Sequence, residues 1–152
     1  MLKIGDKAPD FKGTDQDGKV LGLSSFSGKK LVIYFYPKDN TPGCTAEACD
    51  LRDNYDRFIS LGYEVIGVSK DSEKSHKGFA EKFSLPFSLI SDTDGKIVEA
   101  YDAWGEKKFM GRTYMGIIRK TYVVDENGTI TDIIDKVDTK NHSAQIIPPT
   151  KQ

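Results

Sequence analysis

The order of apolar and polar residues along the chain predicts alternating strands and helices. Residues 11–14 and 19–23 flank a polar tetrad that ends in Asp-Gly, which favours a tight antiparallel hairpin. Residues 31–36 form an uninterrupted apolar and aromatic run, which predicts a strand buried on both faces, and Pro37 ends it. We therefore expect an N-terminal hairpin followed by a central strand.

The next segment, residues 45–61, has apolar side chains at three- and four-residue steps, which predicts one amphipathic helix lying on the sheet. Gly62 is expected to end this helix. The apolar positions expected to pack are Ala48, Leu51, Tyr55, Phe58 and Ile59.

The rest of the chain continues the alternation. Residues 64–69 predict a strand, residues 72–83 a helix capped by Ser72 with Ser75, and residues 87–90 a third buried strand. Residues 119–124 and 129–134 flank an Asn-Gly turn and predict a second hairpin. This order implies an α/β fold with a mixed sheet and right-handed crossovers. Because no repeat or linker divides the chain, we expect a single domain over residues 1–152.

Composition narrows the possible partners. Charged residues make up 30% of the chain and the formal net charge is −1, so no overall field favours nucleic acid or an anionic membrane surface. The opening residues lack a basic and apolar leader, and no apolar run approaches the roughly 18 residues of a membrane span. We expect a soluble cytoplasmic protein with neither nucleic acid nor membrane as a partner.

The two cysteines, Cys44 and Cys49, are better explained by chemistry than by structure. A disulfide between them would close only a tiny loop, and a domain of this size can support its own core. They follow the buried strand at its junction with the long helix, where active sites gather in α/β sheets. The alternatives are a buried structural cysteine or a zinc site, although His76 and His142 are remote in sequence and are expected to be exposed.

The start of the long helix would favour a thiolate. Thr41 or a close neighbour can cap the helix and Pro42 suits its first position, so Cys44 falls in the first turn, where free N–H groups point outward. An ordinary thiol has a pKa near 8.5, and lowering it by about two units requires roughly 2.7 kcal/mol. A helix terminus typically supplies about 0.3 to 1 kcal/mol. A second positive group, most suitably an arginine, is therefore needed, and spacing alone does not choose among the arginines.

The five-residue step between Cys44 and Cys49 predicts a conformational change. In an ideal helix it separates the two Cα atoms by about 8 to 9 Å, whereas disulfides rarely tolerate more than about 7 Å. We therefore hypothesise that the first turns of this helix unwind when the two cysteines form a disulfide.

The strand-to-helix junction resembles a known family. Pro37, Thr41 and Cys44 fit the peroxiredoxin pattern Pro-x-x-x-Thr-x-x-Cys, and residues 62–71, 104–108 and 116–119 are similar to the peroxiredoxin Q, or bacterioferritin comigratory protein, subfamily. The resemblance covers nearly the whole chain. It implies a thioredoxin-like fold, in which a mixed central β-sheet is flanked by helices.

The same resemblance implies a role for each matching residue. Cys44 would be the peroxidatic cysteine and Cys49 the resolving cysteine, Thr41 would hydrogen-bond the sulfur and the peroxide, and Pro37 would shield the pocket. Arg119 would be the charged donor, which leaves Arg52 and Arg112 as surface or structural charges.

The implied activity is that of an antioxidant peroxidase. Hydrogen peroxide or an organic hydroperoxide would oxidise Cys44 to a sulfenic acid, and Cys49 would convert this acid to an intramolecular disulfide. Thioredoxin, or a similar dithiol protein such as glutaredoxin, would then reduce the disulfide by exchange. No metal, flavin or haem is required, and a cysteine pair within one chain favours a monomer.

Two other classes of function stay open at this point. A thiol-disulfide oxidoreductase would share the fold but usually carries C-x-x-C, and a redox sensor would be oxidised once without turnover. Outside the site, Trp104, Phe109, Met110 and Tyr114 are expected to be core or loop-packing residues, with an apolar entrance for bulky hydroperoxides as the alternative. The run Ile147-Pro148-Pro149 interrupts a segment that the resemblance would make a terminal helix.

Overall fold

The computed structural model describes residues 1–147, and a central sheet is its framework. The strands, in chain order, are β1 (Lys12–Thr14), β2 (Val20–Gly22), β3 (Lys30–Phe35), β4 (Tyr63–Ser69), β5 (Ser88–Ser91), β6 (Trp104–Phe109), β7 (Arg112–Ile117), β8 (Lys120–Val124) and β9 (Ile130–Ile134). The helices are α1 (Pro42–Asp53), α2 (Tyr55–Ser60), α3 (Glu73–Phe83), α4 (Lys96–Ala100) and α5 (His142–Ile146).

Within the described residues, the main sheet has the strand order β2-β1-β5-β4-β3-β8-β9. Strands β3, β4 and β5 run parallel to one another, whereas β8 pairs with β3 in the antiparallel direction. Strands β1 and β2 form the predicted N-terminal hairpin, and β8 and β9 form the predicted second hairpin. The mixed sheet and both hairpins are therefore confirmed.

Strand β3 has a buried residue on each face of the sheet in turn, as the apolar run predicts. Leu31, Ile33 and Phe35 lie in one hydrophobic cluster, which also contains residues of α4. Val32 and Tyr34 lie in the opposite cluster, together with residues of α1, α2 and α3. Because its two faces are covered, β3 can hold the chain segment that follows it in a fixed place.

The prediction of one helix over residues 45–61 is wrong, because two helices meet at Asn54. The Asn54 side-chain amide donates to the Asp50 carbonyl at 2.9 Å, so a side chain occupies the acceptor that a continuing helix would use. The break turns the second helix, and Ile59 is 44% exposed instead of packed. Gly62, at φ 85°, ends the segment as predicted.

The hairpin of β6 and β7 was not predicted. Its turn residues, Met110 and Gly111, both have positive φ angles, of 50° and 77°, and methionine rarely signals such a turn. Phe109, Met110 and Tyr114 lie exposed on this hairpin, so the expectation that they pack in the core or under a loop is wrong. Trp104, at the base of the hairpin, packs against a core cluster.

Among the described residues, no helix combines the length and the apolar character needed to cross a bilayer. Helix α5 ends at Ile146, and the next residue, Ile147, is buried in the core. Pro148 and Pro149, which the sequence predicts to interrupt a terminal helix, lie outside the described residues.

Candidate active site

Cys44 lies in the first turn of α1, directly beyond the carboxyl end of β3. The helix begins at Pro42, as the sequence predicts, and Thr41 precedes it with extended backbone angles, but the expected capping bond from the Thr41 side chain is absent and its hydroxyl donates to the Lys38 carbonyl instead. Within the described residues, no side chain caps this helix, so its first N–H groups keep their positive potential. The Cys44 thiol is 1% exposed, so it lies in this potential and away from bulk water.

The guanidinium of Arg119 lies beside that thiol. Its Nη2 donates to Cys44 Sγ at 3.3 Å. Phe35 at the end of β3 pairs with Lys120 at the start of β8, so the antiparallel register brings Arg119 to the end of β3 where α1 begins. Strand pairing therefore brings together two residues that lie 75 positions apart.

Gly43 makes room for this contact. A Cβ atom at Gly43 would lie 3.2 Å from Arg119 Nη2, which is closer than side chains normally approach. The absence of a side chain here lets the guanidinium reach the helix start.

Glu47 is a site residue that the sequence reasoning missed. It is fully buried one helical turn after Cys44, and its Oε1 accepts from Arg119 Nη1 at 2.7 Å. Burial raises the pKa of Glu47 to about 7, although the charge of Arg119 and its hydrogen bond oppose the rise. One sequence signal could have identified Glu47: it is a charged residue at the three- to four-residue spacing that places Cys44 and Leu51 on the buried face of the helix.

Arg119 is held by two acceptors at once. Burial alone would lower the pKa of Arg119, but the adjacent Cys44 and Glu47 groups outweigh burial and raise it. The guanidinium therefore stays charged, and its planar shape lets Nη1 bind Glu47 while Nη2 binds Cys44.

Pro37 and Arg119 line an open cavity of about 570 Å³, together with Ile118 and Lys107, and Cys44 contacts the Arg119 guanidinium without lining the cavity itself. Lys107 Nζ donates to the Ile117 carbonyl at 2.8 Å, and burial, followed by the charge of Arg119, lowers the pKa of Lys107. This cavity gives a small molecule access to the guanidinium.

Thr41 and Cys49 lie close to Cys44 along the chain, but neither side chain makes a hydrogen bond or a disulfide with the Cys44 sulfur. The Thr41 hydroxyl donates to the Lys38 carbonyl at 3.0 Å, which leaves the oxygen lone pairs of that hydroxyl as acceptors. Cys49 is half-buried in α1, and both cysteines are free thiols. The structure thus gathers Pro37, Cys44 and Arg119 in one place, with Thr41 at the helix start.

The competing arginines are engaged elsewhere. Arg52 Nη1 donates to the Phe83 carbonyl at 2.9 Å and its Nη2 lies 2.9 Å from an Asp53 carboxylate oxygen, whereas Arg112 is exposed on the hairpin of β6 and β7. Both are surface or structural charges, as expected.

The expectation that the two histidines are exposed is wrong, because both are completely buried. His76 lies between the Asp39 carboxylate, 2.7 Å from Nδ1, and the Ile90 carbonyl, 3.1 Å from Nε2. His142 contacts Thr121 and Gln145, each at 2.7 Å. Polar partners inside the fold, which the sequence does not display, make this burial possible.

One cluster of the described residues could hold a metal ion, and neither cysteine belongs to it. Asp39, Asp71 and His76 offer ligand atoms within 4.8 Å of one another. These atoms are already hydrogen-bonded, since Asp39 also accepts from Tyr36 and Asp71 accepts from the Asp39 backbone. The cluster therefore serves to fix the loop between β3 and α1.

Comparison with known proteins defines the class to which this fold and site belong. Residues 4–133 match the AhpC/TSA family, and the chain belongs to that family of thiol-dependent peroxidases. Its α/β architecture is the thioredoxin-like fold of the peroxiredoxins, as the sequence predicted.

Within the family, the chain is similar to the peroxiredoxin Q, or bacterioferritin comigratory protein, group. It is 45% identical to peroxiredoxin Bcp of Bacillus subtilis over 150 residues, which cover 99% of this chain and 96% of that one. The structure of a C84S mutant of Xanthomonas campestris peroxiredoxin Q has 34% identity and a TM-score of 0.89, covering 99% and 96% of the two chains. The structure of the X. campestris bacterioferritin comigratory protein has 34% identity and a TM-score of 0.86, covering 96% and 93%.

Proposed function

We propose that Cys44 is the peroxidatic cysteine of this peroxidase and that Arg119 holds it as a thiolate. The contact of Arg119 Nη2 with Cys44 Sγ, at 3.3 Å in the first turn of α1, is the observation that carries the proposal. A guanidinium and a helix start together supply the positive potential that neither supplies alone. Because the cycle starts from a reduced thiol, the protein would work in a compartment that keeps thiols reduced, such as the cytoplasm.

The first chemical step takes place between Cys44 and a hydroperoxide that approaches Arg119 from the cavity that Pro37 and Arg119 line. The thiolate attacks the terminal oxygen, the O–O bond breaks, and the sulfur becomes a sulfenic acid. The leaving oxygen departs with the electron pair and takes up a proton, which gives water or an alcohol. Arg119 is placed to stabilise this developing charge, because its donors already face the sulfur.

Thr41 and Pro37 position the substrate in this proposal. The Thr41 hydroxyl gives its own proton to the Lys38 carbonyl, so its oxygen can accept the O–H of the peroxide. Pro37 lines the cavity with Arg119, where its ring would limit the access of water to the sulfur. Alkyl peroxide reduction is the activity assigned to the X. campestris relative, and the open cavity supports a similar substrate range here.

Cys49 completes the cycle. Its thiol attacks the sulfenic acid sulfur of Cys44, a disulfide forms and water leaves. A thioredoxin-like dithiol then attacks this disulfide, takes over the disulfide bond and returns both cysteines to thiols. Because the two cysteines lie in one helix of one chain, the cycle needs no second subunit, which supports a monomer.

Steady-state turnover tests the assignment. The protein should consume hydrogen peroxide with thioredoxin, thioredoxin reductase and NADPH, and the same assay with glutaredoxin and glutathione identifies the preferred reductant. Cys44→Ser should be inactive, whereas Cys49→Ser should be oxidised once and then stop, which intact mass detects as one added oxygen. Stoichiometric oxidation of the wild-type protein without turnover, or full activity of Cys44→Ser, would overturn the proposal.

A further inference from the structure

One buried carboxylate oxygen at the site has no hydrogen-bond partner. Glu47 Oε1 binds Arg119, but Glu47 Oε2 has no hydrogen-bond partner among the described residues. A buried oxygen left unpaired typically costs about 1 to 3 kcal/mol, and more when it is charged. Such an atom is expected to carry a proton or to face one.

The polar atom that faces Glu47 Oε2 is His142 Nε2, and the two atoms lie 3.5 Å apart. His142 opens α5, and its side chain is completely buried, as is that of Glu47. This helix is fastened to α1 nearby, since the Ser143 backbone N–H donates to Asp50 Oδ2 at 2.7 Å. The imidazole is therefore held in place against the glutamate.

The hydrogen bonds around His142 determine where its ring carries hydrogen. Gln145 Oε1 accepts from the Asp138 backbone N–H at 2.9 Å, and Gln145 Nε2 donates to the Lys136 carbonyl at 2.9 Å, which fixes the orientation of the amide. His142 Nδ1 lies 2.7 Å from Gln145 Oε1, so Nδ1 must be the donor. In the neutral ring, Nε2 is then an acceptor, which takes the hydroxyl hydrogen of Thr121 Oγ1 at 2.7 Å and also faces Glu47 Oε2.

Glu47 Oε2 has no hydrogen-bond partner among the described residues and faces an acceptor nitrogen at 3.5 Å, and two acceptor atoms so placed in the protein interior repel each other unless one of them carries a hydrogen. We infer that Glu47 and His142 share one proton between Oε2 and Nε2, and that His142 is a positioning residue that governs the charge next to Arg119. With the proton present, Glu47 is neutral and the full charge of Arg119 faces Cys44. Without it, Glu47 adds a negative charge to the same guanidinium.

The charges around the pair agree with this arrangement. Burial raises the pKa of Glu47 to about 7, and burial, as the largest cause, lowers the pKa of His142. Both groups are thus driven towards their neutral forms, so the proton rests on Glu47 and leaves near neutral pH. The other titratable or charged groups that act on the pair are Asp50 of α1, Tyr34 of β3, Arg119 before β8, and Asp138 before α5, whereas Cys44 acts on Arg119.

A ring-nitrogen NMR titration of the whole protein detects the proton directly. The ¹⁵N shift of His142 Nε2 and the ¹³C shift of the Glu47 carboxyl should change with one common midpoint. In Glu47→Gln the His142 step should disappear, because the amide donates to Nε2 at every pH. Separate midpoints, or an unchanged His142 step in Glu47→Gln, would overturn the inference.

The effect on reactivity rests on the proposed role of Cys44. Stopped flow gives the rate constant for the reaction of the reduced protein with hydrogen peroxide. The quantity to follow with pH is this rate constant for Glu47→Gln divided by that for wild type. A charge gained one helical turn from the sulfur should make this ratio rise about tenfold between roughly pH 6 and pH 8. A flat ratio in a protein that reacts with peroxide would overturn the control of Arg119 by this proton.

Two variants of α5 separate proton sharing from helix docking. His142→Phe keeps a ring but removes both nitrogens, so the midpoint of the Glu47 carboxyl should move while its step remains. Ser143→Ala is the matched control, because it loses the hydroxyl bond to the Asp50 carbonyl at 3.2 Å but leaves His142 intact, and it should keep the wild-type midpoint. A Ser143→Ala midpoint displaced as far as that of His142→Phe would show docking alone and contradict proton sharing.

If the protein shows the common NMR midpoint but no peroxide turnover, the proposed function fails and the shared proton stands.

Discussion

At the scale of single residues, the site depends on how closely Arg119 approaches the start of α1. Its guanidinium bridges a sulfur and a carboxylate, and Gly43 gives it the space to do so. Small changes in these contacts should therefore change chemistry without changing the fold.

Gly43→Ala tests the space beside Arg119. The new methyl group would lie 3.2 Å from Nη2, so the guanidinium must shift by a few tenths of an ångström, which lengthens its bond to Cys44. We expect the rate constant for peroxide to fall about tenfold or more. Gly78→Ala is the matched control, because a Cβ there meets no atom within 4 Å, and it should keep the wild-type rate. Equal rates for both variants would show that the spacing at Gly43 does not matter.

Glu47 makes stability depend on pH. Its pKa in the folded state, about 7, lies above the ordinary 4.5, so the folded protein binds this proton more tightly than the unfolded chain does. The contribution is full below pH 4.5 and is lost as the pH rises through about 7. Over this range the unfolding free energy of wild type should fall by about 3 kcal/mol relative to Glu47→Gln, measured by urea denaturation. Glu99→Gln, on the surface, should keep the wild-type slope, and an unchanged slope in Glu47→Gln would contradict this assignment.

At the scale of elements, the proposed disulfide between Cys44 and Cys49 requires α1 to change shape in each cycle. Cys44 and Cys49 lie in the same helix as free thiols, and helix geometry holds their Cα atoms too far apart for a disulfide. The helix also holds α5 through Asp50, which directly follows Cys49. Unwinding of α1 should therefore loosen α5.

Amide hydrogen exchange tests this coupling. In the disulfide form, residues 41–53 and 142–147 should exchange faster than in the reduced form, whereas β3 and β4 should stay protected. Cys49→Ser treated with one equivalent of peroxide is the control, since it forms the sulfenic acid but no disulfide and should keep α1 protected. Equal protection of α1 in the reduced and disulfide forms would refute the unwinding.

The strength of the sequence signal explains which elements were predicted. Buried β-branched runs and Asp-Gly or Asn-Gly turns identified the main sheet, because both reflect local requirements of the backbone. The hairpin of β6 and β7 escaped notice because it is largely exposed and turns at Met110. The break at Asn54 depends on a side-chain bond to Asp50, which periodicity does not record.

The site was predictable to the extent that a motif encodes it. Pro37, Thr41 and Cys44 lie within one segment, and family resemblance supplied Arg119. Glu47 and His142 were missed because their place beside Arg119 arises from burial and from contacts between distant segments, and glutamate is rarely buried completely.

At the scale of the whole molecule, the cavity at Arg119 opens beside an exposed apolar surface. Ile118 lines the cavity and is 38% exposed, and the exposed hairpin of β6 and β7 directly precedes it. Together they form a surface on which the organic part of a hydroperoxide can lie.

Ile118→Ser tests the use of this surface. The specificity constant for cumene hydroperoxide should fall about tenfold through a higher KM, while that for hydrogen peroxide changes less than twofold. Ile59→Ser is the control, since Ile59 is a similarly exposed isoleucine, at 44%, on α2 away from the cavity. Equal losses for both peroxides would show that Ile118 acts on Arg119 instead of on the substrate.

The pairing of β3 with β8 also governs when during synthesis the protein becomes reactive. The sulfur leaves the ribosome 75 residues before the guanidinium that it contacts, so a half-made chain carries an ordinary cysteine. If Arg119 activates the sulfur as proposed, sensitivity to oxidants should switch on only when β8 joins the sheet, and the growing polypeptide should be spared premature oxidation until then.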